Sequence, residues 1–194
     1  MPHISRDSLM TLEAYAKVRT EFRAKVMAHK KNRVVTLGED ISLIFEDELT
    51  VRYQIQEMLR VEKTFEEAGI NDELEVYNPL VPDGSNWKAT MMIEYPDPAI
   101  RAEKLKQLKG IEKKVYVQVQ GCDKVYAIAD EDLERENEEK TSSVHFMRFE
   151  LSAEMVQSAK HGAAISVGVE HPAYTSNTGN LPGAIKDSLT ADLA

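Results

Sequence analysis

The chain has 194 residues, 42% of them hydrophobic, which is enough to bury one core without staples. Its net charge of -9 repels free nucleic acid and anionic membrane over most of the surface. Cys122 is the only cysteine, and that count excludes an internal disulfide, a thiolate-held zinc site and an iron–sulfur cluster carried by this chain alone.

The start, Met-Pro-His-Ile-Ser-Arg-Asp, has no basic stretch followed by an apolar run, and no later segment is apolar over the length of a membrane span. A cytoplasmic protein is expected. Residues 1–32 read as N-terminal helix, with Leu9, Leu12 and Ala16 on one face and Phe22, Val26 and His29 on the next, after a cap at Thr20. Two short helices or one bent helix would satisfy this spacing. Arg33 to Leu37 and Ile41 to Asp47 flank Gly38 as a hairpin, the second run alternating Ile41, Leu43 and Phe45 against Ser42, Ile44 and Glu46.

From Thr50 the period becomes helical, with Val51, Ile55, Met58, Leu59 and Phe65 forming a stripe that Gly69 is expected to end. A loop rich in turn formers, Pro79 to Asn86, leads to a strand over 88–95 with Ala89, Met91, Ile93 and Tyr95 on one face. Pro96 and Pro98 open a charged helix that reaches about Leu108. Val115, Val117 and Val119 alternate against Tyr116, Gln118 and Gln120, and Gly121-Cys122-Asp123 turns this strand into 124–129.

The segment 130–141 holds a run, DEDLERENEEK, with seven acids and two bases; it reads as a solvated helix or a mobile loop. Strands over 143–151 and 163–168 bracket a short helix, and a helix over 181–194 closes the chain with Ile185, Leu189 and Leu193 on one face. Six or seven strands joined partly by hairpin-length turns predict a single α+β domain spanning 1–194. Its sheet is mainly antiparallel, of about six strands, with helices packed on it.

Long stretches of the chain resemble one bacterial family, domain of unknown function 3501. They are EFRAKVMAHKKNRVVTLG, TVRYQIQEMLRVEKTFEEAGI, NPLVPDGSNWKATMMIEYPD, VYAIADEDLERE and KTSSVHFMRFEL, with GVEHPAY near the end. The resemblance implies no assigned activity and carries over no catalytic residues. It does imply company: members are often encoded near a rubrerythrin-like protein and an iron–sulfur oxidoreductase. An accessory role in redox or oxidative-stress work follows from that company, with any cluster housed in the partner.

Several side chains could carry chemistry. His145 shares a strand face with Met147 and Phe149, and His171 sits in a loop before Pro172. If that loop folds over the sheet, the two histidines and a carboxylate from Glu57, Glu62 or Glu94 would make the two-histidine, one-carboxylate arrangement that suits iron or zinc. A packed core histidine and an exposed loop histidine explain the same pattern more simply, and no metal-ligand spacing motif occurs.

Glu57 also stands three residues before Arg60, so a solvated helix face laced with ion pairs competes with a buried charged site. Asp83, Ser85 and Asn86 beside Trp87 could hold a small anion or simply turn the chain.

Lys30, Lys31 and Arg33 close a basic segment. Residues 1–33 hold eight basic side chains against three acidic ones, a local +5 that leaves -14 for the rest. A helix C-terminus favours such cations for structural reasons; the functional alternative is a patch that docks an acidic partner or phosphate.

Overall fold

Alternation in the strands fixes which residues face inward, and the pairing partners decide how many sheets result. The computed structural model describes residues 3–194. Its strands are β1 (Val34–Leu37), β2 (Ile41–Glu46), β3 (Asn86–Ile93), β4 (Val115–Val119), β5 (Val125–Tyr126), β6 (Ile128–Ala129), β7 (Val144–Glu150), β8 (Ile165–His171) and β9 (Tyr174–Asn177). The helices are α1 (Leu12–Lys30), α2 (Glu48–Glu62), α3 (Glu67–Tyr77), α4 (Pro98–Gln107), α5 (Ala153–Lys160) and α6 (Gly183–Thr190). No helix among the described residues is long and apolar enough to cross a membrane.

The α+β class and the antiparallel pairing stand as expected. The strands, however, divide between two sheets, ordered β1-β2-β3-β7-β6 and β5-β4-β8-β9. The division falls at Ala127, whose N–H bonds Val115 O at 2.9 Å. Before it β5 pairs with β4, and after it β6 pairs with β7. One residue thus passes the chain from one sheet to the other, a change that alternation alone cannot signal.

A single buried cluster draws on both sheets: Leu43, Phe45, Trp87, Met91 and Phe149 from the first meet Val115, Val117, Ile165 and Val167 from the second. Leu105 of α4, Val156 of α5 and Leu189 of α6 join it from the helices. Phe45 stacks edge-on against Trp87 with ring centroids 6.5 Å apart, a favourable aromatic arrangement. A second, smaller cluster lies among the helices, where Val51, Ile55 and Leu59 of α2 pack on Ile70 and Leu74 of α3 together with Ile4 and Leu9.

Several local expectations are corrected. The N-terminal third is one helix, because nothing between 12 and 30 breaks it. Thr11 rather than Thr20 caps it, its hydroxyl accepting from Ala14 N at 3.2 Å. Helix α2 stops at Glu62 with Lys63 left-handed, φ 55°, and Gly69 lies inside α3, where a Cβ would crowd the Thr64 methyl.

Tyr116, expected outward, is buried because its ring lies over Gly168 and its hydroxyl takes a 2.7 Å bond from Asn177 Nδ2. The acidic segment is a loop and not a helix. Asp130 adopts a left-handed conformation, φ 54°, and Asn137 Oδ1 accepts from Glu139 N and Lys140 N. The C-terminal helix ends at Thr190, after which Ala194 N bonds Gly84 O at 2.9 Å.

Candidate functional site

Strand alternation turns Lys88, Thr90 and Met92 of β3 away from the main core, beside Ile44 and Glu46 of β2 and Phe146 and Arg148 of β7. Helices usually cover such a face completely. Here α2 and α3 spend much of their apolar surface on each other and on the N-terminal segment. The outer residues of the sheet stay half-buried.

The gap is a cleft of about 390 Å³ walled by Val76, Tyr77, Pro79, Leu80, Leu133 and Phe146. A second cavity of about 400 Å³ shares Tyr77, Leu80 and Phe146 with it and runs along Ile44, Thr90 and Met92 toward Lys30. Val76 and Leu133, at the rim, are 64% and 56% exposed. Concave, mainly apolar cavities of this size with a few polar groups are the usual form of a small-molecule site.

Several of the charged side chains in the cleft are engaged, Asp132 by Arg135 at 2.7 and 2.8 Å among them, while Glu75 is exposed at its edge. Glu46 accepts from Thr90 Oγ1 at 2.7 Å and from Thr50 Oγ1 at 2.5 Å. Arg148 donates through Nε and Nη2 to the two oxygens of Glu131 at 3.0 and 2.9 Å, and through Nη1 to Glu150 at 2.5 Å. These bonds hold the Glu131 carboxyl below its ordinary range and the Arg148 guanidinium above its own.

Lys88 stands between Glu46 and Arg148 in the register of the sheet. Among the described residues, no carboxylate oxygen lies within ion-pair distance of its ammonium. Burial first, and the Arg148 charge second, push its pKa below the ordinary lysine value. The cleft therefore offers partial desolvation and a cation, Lys88, with no counter-charge in contact among the described residues.

The residues singled out from sequence lie elsewhere and belong to separate networks. His145 is fully buried, with Nδ1 2.6 Å from Asp130 Oδ2 and Nε2 3.0 Å from both Thr141 Oγ1 and Ser142 O. His171 Nδ1 accepts from Ala173 N at 3.2 Å, which leaves Nε2 to donate to Lys109 O at 2.9 Å.

Glu57 takes two bonds from Arg19 at 2.7 and 3.0 Å, one from Tyr15 Oη at 2.7 Å and one from Arg60 at 3.3 Å. The Arg19 pairing is the main reason its carboxyl falls to about 2. The expected convergence of His145, His171 and Glu57 is thus corrected: the two histidines stand in different sheets, and each side chain is already engaged. Glu94, just past the end of β3, accepts from Ser42 Oγ at 3.0 Å. No group of three or more His, Cys, Asp or Glu side chains among the described residues is placed to hold a metal ion.

The loop at 83–86 turns the chain. Asp83 Oδ1 accepts from Ser85 N at 2.9 Å and Asn86 Oδ1 accepts from Asp83 N at 3.1 Å, so the polar groups proposed for an anion satisfy one another. Trp87 is buried, its Nε1 donating to Leu189 O at 2.9 Å, and is not presented to solvent.

In the basic cluster Lys31 is exposed, and Lys30 lies 5.6 Å from the Tyr53 ring centroid. Arg33 is a correction: its side chain is 1% exposed and binds Phe45 O at 2.7 Å, Glu46 O at 3.1 Å and Asp192 Oδ2 at 2.5 Å. A residue so engaged cannot form part of a docking patch. Cys122 is partly buried in its turn.

Sequence reading passed over Lys88, Val76 and Leu133. Lys88 looked like any outward lysine on a strand, and Leu133 like a stray apolar residue in an acidic run. The isolated leucine was the one available signal.

Fold and site together define an α+β protein of two antiparallel sheets, with an apolar cleft left between one sheet and its helical cover. Over residues 3–193 the chain matches the family described as protein of unknown function (DUF3501), and it belongs to that family, as its sequence segments implied. A crystal structure of a novel protein of unknown function from Burkholderia pseudomallei K96243 is 52% identical, with 100% of both chains covered and a TM-score of 0.95. No curated protein matches.

Proposed function

We propose that this chain is an accessory binding protein of a bacterial, cytoplasmic redox or oxidative-stress pathway, and that the cleft between α3 and the outer face of the first sheet is its binding site. The observation that carries the binding reading is the cleft itself, about 390 Å³ with apolar walls and exposed Val76 and Leu133 at its rim. The redox setting rests on the company implied by the family resemblance, with a rubrerythrin-like protein and an iron–sulfur oxidoreductase as partners. A single cysteine agrees with a helper whose partners hold the clusters.

A neutral dye that brightens in apolar surroundings tests the cleft. Wild type brightens it, whereas Leu133→Glu at the exposed rim and Leu80→Glu in the shared wall reduce the signal at least several-fold. Equal brightening by all three proteins removes the cleft as the site. Affinity capture from native lysate, read by mass spectrometry, tests the setting: repeated recovery of neither kind of partner counts against the redox role and leaves the cleft untouched. Elemental analysis of the same preparations reads the metal-binding alternative independently.

A further inference from the structure

We propose that the cleft takes a small organic monoanion with an apolar tail, a carboxylate of the fatty-acid kind, whose charged end meets Lys88. This rests on the binding reading above and names its ligand class.

The walls supply the first half of the recognition. Val76, Leu80, Leu133 and Phe146 leave a volume of about 390 Å³ whose filling would remove apolar surface from water on both the protein and the ligand. Of the charged side chains at its edge, Glu131, Asp132 and Arg148 are already bonded within the protein, so a sugar or a free nucleotide would find few free polar partners there. An apolar chain finds contact along its length, and the adjoining cavity of about 400 Å³ along Ile44 and Met92 gives room for a longer one.

The charge supplies the second half. Glu46 is occupied by Thr50 and Thr90, and Glu131 and Glu150 are occupied by Arg148. Lys88 remains as a half-buried ammonium whose proton is loosened by burial and by Arg148 and held more weakly by Glu131, Asp83 and Glu150; among the described residues no carboxylate lies within ion-pair distance of it. A desolvated charge without a partner is unfavourable, so an occupant that brings one negative charge gains where a neutral or cationic one does not. Among the described residues Lys88 is the cation lining the 390 Å³ cleft that no carboxylate meets, since Arg148 is committed to Glu131 and Glu150; Lys30 lines the adjoining cavity and lies against the Tyr53 ring.

Decanoate and decanol, the acid and the alcohol of one chain length, test this by competition with the neutral dye on wild type, Lys88→Met, Lys88→Arg and Leu133→Glu, each checked for its fold by circular dichroism. Wild type is expected to bind decanoate about tenfold to a hundredfold more tightly than decanol, the range of one charge-assisted hydrogen bond. Lys88→Met abolishes that preference while keeping decanol binding, Lys88→Arg retains it, and Leu133→Glu weakens both probes.

Equal affinity of wild type for the two probes, or a preference for decanoate that survives in Lys88→Met, overturns the anion assignment and leaves the cleft reading standing. Failure of wild type to bind either probe or the dye overturns both. Should Lys88→Met misfold, the acid-over-alcohol ratio on wild type and Lys88→Arg still decides.

Discussion

Arg33 shows what a single buried charge requires. Its side chain is 1% exposed and its partners are the backbone carbonyls of Phe45, Glu46 and Ser188, the Ser188 hydroxyl and the Asp192 carboxylate, itself 9% exposed. Burial pushes the Asp192 carboxyl up while Arg33 pulls it down. Removing one member leaves the other charged and dry, so Arg33→Ala should cost about 3–5 kcal/mol in urea unfolding, whereas Lys31→Ala on the exposed neighbour should stay within about 0.5 kcal/mol.

Glu57 gives a test in pH. Its carboxyl lies at about 2 in the folded chain against an ordinary 4.5, so the ionised form is stabilised by folding. That stability is fully present above 4.5 and is lost as pH falls toward about 2. Glu57→Gln should therefore be less stable than wild type at neutral pH, with the gap narrowing through that window; a gap that stays constant down to the acid limit contradicts the assignment. His145 was legible as a core-facing residue from its place beside Met147 and Phe149. Its engagement with Asp130 was not, because the pair is fifteen residues apart and depends on the path of the loop.

At the scale of elements, caps and turns explain where helices begin and end. Asp47 and Thr50 form a reciprocal cap at the start of α2, with Asp47 Oδ1 accepting from Thr50 N at 2.9 Å and Thr50 Oγ1 accepting from Asp47 N at 3.0 Å. The other end is less favourable, since Lys63 takes a left-handed conformation that suits glycine. Lys63→Gly should raise stability by about 0.5–1 kcal/mol, read as a higher urea midpoint with unchanged slope.

Gly38 shows the converse: φ is +71°, and a Cβ there would collide with the Tyr174 hydroxyl, which donates to Leu37 O at 2.5 Å. The hairpin around Gly38 was readable from its neighbours, but the tyrosine that closes over it comes from β9 in the other sheet. The misplaced end of α2 has a similar cause. A glycine in a helical stretch resembles a stop signal, while at Gly69 it serves the close approach of Thr64.

For the whole molecule, the main core binds both sheets and helices α4, α5 and α6 into one unit, and Trp87 is fully buried in it with its indole N–H on Leu189 O. As the single tryptophan, it reports on that unit alone. Its fluorescence and the far-ultraviolet dichroism should therefore lose signal at the same denaturant concentration, since a shared core couples the sheets. Separate midpoints would mean that the smaller helical cluster unfolds by itself.

Composition and periodicity determined the α+β class, the inward faces of most strands and, through long shared segments, the family. These properties are local or additive, so a one-dimensional reading reaches them. Tertiary structure decided the division into two sheets at Ala127, the burial of Arg33, the separation of His145, His171 and Glu57, and the cleft over Lys88. Each depends on which surface lies against which, and a strand's outward face becomes solvent, interface or binding site only when the helices above it are in place.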